Sequence, residues 1–156
     1  MTHWKNRVFP ILVIFVVLSV LYLIAVQFSP GSYGNAEGYE LDYSEEQVID
    51  AISKLKENHP SISAPKYLED GKTDDTSHWY KNYFCLRDEN KILLTWTRSS
   101  GKSTTTFALV SVNEGSGLGN WKDVNGDLSF SENKRIKTKF ENEILAKIKE
   151  QLETTE

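Results

Sequence analysis

The chain has 156 residues, with 18 Lys and Arg, 22 Asp and Glu and one cysteine. Lys5 and Arg7 stand ahead of the apolar run that opens the sequence, so the remainder carries 16 cations against 22 acids, a net charge of −6. That balance argues against nucleic acid or an anionic membrane surface as the main partner of the polar part, because both require clustered cations, and a single cysteine excludes an internal disulfide.

Val8 to Phe28 contains no Asp, Glu, Lys, Arg or His, and the first charge after Arg7 is Glu37. As a helix this run is roughly 30 Å long, the hydrocarbon thickness of a bilayer. The spacing therefore predicts a transmembrane signal-anchor helix over 8–28. Lys5 and Arg7 precede it and no charge follows until Glu37, so residues 1–7 are expected in the cytoplasm and the C-terminal domain outside it, in a periplasm or at a cell surface. A cleaved signal peptide is the competing reading, with Gly34-Asn35-Ala36 as a tolerable cleavage site. Its apolar core is usually only about 7–15 residues, and the length here favours an uncleaved anchor. Cys85 lies too far from the run for a lipoprotein.

Residues 29–40 are rich in Pro, Gly, Ser and Asn and read as a flexible linker to a domain over 41–156. Ser44-Glu-Glu-Gln47 is a capping box, followed by Val48, Ile52 and Leu55 at helical spacing until Pro60 stops the helix near Asn58. The period then changes. His78 to Arg87, Ile92 to Arg98 and Thr104 to Val112 read as three strands joined by turns short enough to require an antiparallel meander. Alternation groups Tyr80, Phe84 and Leu86, then Ile92, Leu94 and Trp96, and sets Phe107 and Leu109 against Ala108, Val110 and Val112. A second capping box, Ser129-Phe-Ser-Glu132, opens a closing helix whose Ile136, Phe140, Ile144, Ile148 and Leu152 recur every four residues. Helix, three strands and helix predict an α+β domain, a three-stranded or slightly larger antiparallel sheet with both helices on one face.

Motifs that carry chemistry fare poorly. Gly101-Lys102-Ser103 has the end of a phosphate-binding loop but lacks its first glycine, with Trp96 in that place, and precedes a strand, so a hairpin turn is expected. Asp123-Val-Asn125-Gly-Asp127 resembles the opening of an EF-hand or dockerin calcium loop. It departs at Leu128, where the family has glycine, and at Lys134, where it has a carboxylate; an Asx-type turn into the helix is the expectation. His3, His59 and His78 have no metal spacing, and His78 and Cys85 sit at odd separation on one strand, pointing to opposite faces. Cys85 is expected as a buried, inert thiol. No catalytic residue, metal ligand or cofactor site is assigned.

The set Trp79, Tyr83, Arg87, Trp96 and Arg98 stands out. Such residues fill ordinary cross-strand pairs, and on an uncovered sheet face they anchor protein interfaces. The expectation is a membrane-anchored, non-catalytic interaction module, an accessory subunit of an envelope complex or an immunity-like protein, with a protein partner and the lipid bilayer as its contacts. The alternative is an anchored small-ligand sensor or hydrolase with a pocket near Gly115 to Gly119.

Overall fold

The computed structural model describes residues 16–19, 33–114 and 119–154. The chain divides into two units, Met1–Gly34 and Asn35–Glu156. In the first, residues 16–19 are helical. The rest of the span expected over 8–28 lies outside the described residues, among which no helix is long and apolar enough to cross a membrane.

The second unit is α+β, with an antiparallel sheet and a C-terminal helix. Helix α1 (Glu45–Asn58) begins with both halves of its capping box: the Gln47 N–H donates to the Ser44 hydroxyl at 3.3 Å, and the Ser44 N–H donates to Gln47 Oε1 at 2.9 Å. Helix α2 (Phe130–Phe140) makes only half of its own. The Glu132 N–H donates to Ser129 Oγ, but the Glu132 carboxylate turns instead to Lys91, 2.8 Å away. Lys91 is only 12% exposed, and an ammonium drawn from water needs anions close by; it also donates to Glu114 at 3.2 Å.

After Phe140 the helix passes through a π turn, Glu141–Leu145, into α3 (Ala146–Glu153). The four-residue repeat explains it. Sixteen residues at about 100° each carry Leu152 about 160° past Ile136, which would wind the apolar stripe off the core. One extra residue in a π turn absorbs about 100° of that drift. Ile136, Phe140, Ile144, Leu145, Ile148 and Leu152 are all buried as a result.

Among the described residues six strands form one sheet: β1 (Glu37–Leu41), β2 (Gly71–Lys72), β3 (Tyr80–Leu86), β4 (Lys91–Ser99), β5 (Thr105–Glu114) and β6 (Trp121–Asp123). The order is β1-β5-β4-β3-β2, with β6 also on β5. The expected meander is its centre. Residues 37–40, given to the linker by composition, belong to β1, a strand too short to show a period and held by its pairing with β5. Strands β1 and β6 lie end to end along one edge of β5, Glu37 opposite Leu109 and Asp123 opposite Ser111.

A bulge corrects the expected faces of β5. Leu94 opposes Ser111 while Thr95 opposes Leu109, so Val110 is an extra residue and the alternation shifts by one. Val112 therefore joins Phe107 and Leu109 rather than opposing them. These three meet Phe84, Leu86, Leu93 and the buried stripes of both helical segments in one core. The Phe107 ring lies 5.5 Å from that of Phe140 and 6.4 Å from that of Phe84. Ile92, Leu94 and Trp96 do share a face, and it is the one turned away from the helices.

The far edge is closed by the chain between α1 and β3. Strand β2 pairs Tyr80 and Lys81, the Tyr83 N–H donates to Asp70 Oδ1 at 2.9 Å, and Ser63 bridges Phe84. Few edge groups of β3 are left to recruit another strand. Asp70 also pairs with Lys56, whose ammonium stands 4.5 Å over the Phe84 ring. Burial draws Lys56 below the ordinary lysine range against the pull of Asp70.

Two tests follow from these features. Deleting Asn142 converts the buried spacing to the ordinary helical one without rotating Ile148 or Leu152 off the core, so the variant is expected to melt within a few degrees of the wild type. A collapsed circular-dichroism transition would sink this account of the π turn. Separately, hydrogen bonds from Lys122 and Lys91 hold the Glu114 carboxyl down to about 2, against 4.5 ordinarily. A depressed pKa contributes stability that is complete above about pH 4.5 and lost as the pH falls toward about 2. Glu114→Gln should therefore show a shallower fall in Tm over that window, and parallel declines in the two proteins would refute the assignment.

Candidate functional site

Cross-strand pairing orders the face turned from the helices into rows. One row is Cys85, Ile92, Asn113 and Trp121; the next is Tyr83, Leu94, Ser111 and Asp123. Beyond the bulge come Lys81, Trp96, Ala108 and Gly38, then Arg98, Thr106 and Glu40. Tyr83 and Trp121 belong to strands separated by two others, yet their ring centroids are 6.1 Å apart at an interplanar angle of 54°. To meet, both rings lean across β4 and β5, and Ile92, Ser111 and Asn113 are buried on that part of the face. Trp96 is half-buried and opposite Ala108, which is fully buried; Arg98 beside it is exposed.

Of the five residues singled out in the sequence, Tyr83, Trp96 and Arg98 are brought onto this face. Trp79 is half-buried just ahead of β3, its ring 6.4 Å from that of His78. Arg87 is elsewhere. The strand ends at Leu86, the backbone turns into the 3-10 segment Arg87–Glu89, and the guanidinium donates to the Ser61 carbonyl at 2.8 Å and the Pro60 carbonyl at 3.4 Å. It fastens the loop after α1. Trp121 is the member that sequence reasoning missed, since a three-residue strand after a glycine-rich connection shows no alternation.

The other motifs resolve into structure. Cys85 is half-buried on the same face rather than buried, and desolvation pushes its thiol up against the pull of Arg87, away from the thiolate that a nucleophile needs. Gly101 forms a hairpin tip: the Ser100 and Gly101 N–H groups both donate to the Thr104 carbonyl, and a Cβ at 101 would stand 2.4 Å from Thr104 Oγ1. In the calcium-like segment the Asp123 N–H donates to Asp127 Oδ2 at 2.9 Å, closing a turn. Asn125, at φ 60°, donates to the Asn35 carbonyl at 3.1 Å and Glu37 Oε2 at 2.8 Å and accepts from Asn133 at 2.7 Å. Its side chain thus ties β1 to α2. Among the described residues no group of three or more His, Cys, Asp or Glu is placed to hold a metal.

The pocket expected near Gly115 to Gly119 falls largely on residues 115–118, outside those described. Among the described residues, a groove of about 600 Å³ lies along the outer surface of α2, lined by residues that include Glu89, Phe130, Lys134 and Thr138. No protein-family model matches the chain, and comparison with curated proteins finds no match.

Chemically, the sheet face offers aromatic surface with cations beside it. Lys81 opposes Trp96 across the strands and Arg98 follows it two residues on. Half-buried aromatic side chains with an exposed Arg beside them offer a partner large, rigid apolar area at little entropic loss. Because Arg87 serves the loop, Arg87→Ala is expected to raise amide exchange at Ile62 and Ser63 by roughly tenfold, as for loss of a charge-assisted bond. Unchanged exchange in that variant would return Arg87 to the candidate face.

Proposed function

We propose that this chain is a single-pass membrane protein, held by Val8 to Phe28 with its N-terminus in the cytoplasm, whose domain binds a protein partner outside the cytoplasm. Its role is that of an accessory subunit of an envelope complex or an immunity-like protein. The anchor rests on the length of the uncharged run and on the cations ahead of it. The binding reading is carried by one observation: Tyr83, Trp96 and Trp121 gather on a sheet face that neither helical segment covers, while all the buried helix residues join the core on the other side. A face of this make-up supplies the large, rigid side chains on which interface energy concentrates.

The test places a photoreactive side chain at Arg98 or, on the exposed surface of α3, at Lys149, in cells carrying the protein in its native membrane. Position 98 is expected to yield one dominant protein adduct and position 149 none. Trp96→Ala should reduce that adduct about tenfold or more, as for removal of an interface anchor. Equal adducts from both positions, or full capture by a folded Trp96→Ala variant, would overturn the assignment of this face.

A further inference from the structure

Phe130, the first residue of α2, is 87% exposed, the highest value for a large apolar side chain among the described residues. It lines the groove along the outer surface of α2, and Lys134 lies one turn further along that wall. The same end of the domain is where the chain enters. The Asn35 carbonyl accepts from Asn125, and Asn125 accepts from Asn133, one helical turn from Phe130. In the sequence only Ser29 to Gly34 separate the uncharged run from Asn35. Fully extended, that stretch reaches about 20 Å.

We infer that the Phe130 end of the domain rests on the phospholipid headgroups of the membrane that holds the chain, an inference that depends on the anchor proposed above. The Phe130 ring sits at the boundary between headgroups and acyl chains, where aromatic side chains are favourable, and the Lys134 ammonium faces lipid phosphate. The net charge of −6 beyond the anchor opposes broad electrostatic adhesion. The contact is therefore short-ranged and apolar, and it persists in high salt. The hairpin tip at Lys102 lies beyond the opposite end of β1, so on this inference it stands away from the lipid.

The test uses the full chain in nanodiscs of phosphatidylethanolamine and phosphatidylglycerol, with Cys85→Ser and a fluorophore on Ser131→Cys or Lys102→Cys. Nitroxide-bearing lipid should quench the label at 131 severalfold more than the label at 102, in low and high salt. Adding Phe130→Ser should bring the 131 label down to the level at 102, with Tm unchanged because the ring is exposed. Equal quenching at the two positions, or quenching at 131 that ignores Phe130→Ser, would overturn the inference while leaving the anchor intact. Release of the wild-type chain from native membranes by alkaline carbonate would overturn the anchor and the inference together.

Discussion

Strand β5 constrains the rest of the domain, because β4 pairs along one of its edges while β1 and β6 share the other. Its one irregularity decides which side chains face the helices. With Val110 inserted as an extra residue, Phe107, Leu109 and Val112 all face inward. In a regular strand Val112 would turn outward and leave a void beside Leu93, its partner on β4. A single residue thus separates a closed core from one with a gap, and it also spaces β1 from β6 so that both find their pairs.

Around this strand, polar ties join elements distant in sequence. Lys91 gathers Glu114 and Glu132, linking β4, β5 and α2. Asn125 and Lys137 gather Glu37, linking the turn, α2 and β1. Arg135 and Lys139 reach Glu89 and Asp88 in the 3-10 turn after β3. Desolvation raises the Glu89 carboxyl, and hydrogen bonds from Arg135 and Lys139 outweigh it, holding the group below the usual carboxylate range. At Tyr39 the two effects reinforce each other: burial first, then the Glu141 carboxylate that accepts the hydroxyl's hydrogen bond at 2.9 Å, push its pKa upward. These ties set the angle of the helical layer against the sheet, which apolar packing alone specifies loosely.

Local signals in the sequence account for the helices and the central strands. Ser44 and Gln47 satisfy each other within four residues, and the period of two is plain in Tyr80 to Leu86. What escapes local reading is whatever depends on a partner. The register that turns Leu93, rather than Leu94, toward the helices is fixed by Phe84 across the ladder. Strand β1 exists because β5 offers it an edge. Arg87 stands in phase with Tyr83, but the backbone leaves the strand one residue earlier, so phase alone misplaced it. Glu132 had two satisfactory partners, its own helix terminus and Lys91, and the desolvated ammonium is the stronger claim. The candidate face was legible in its residue types and illegible in its edges: Trp96 and Arg98 came from the strand pattern, and Trp121 only from the fold.

The succession of β6 and β1 along one edge of β5 also has a mechanical meaning. The chain enters the domain at Asn35 and at once becomes a strand held by five residue pairs. A pull on the preceding segment along the strand axis loads those pairs together, in shear, whereas a sideways pull opens them singly from Glu37. Asn125 stands at that first pair, donating to the Asn35 carbonyl and the Glu37 carboxylate. It acts as a stitch at the end of a seam, where peeling would begin.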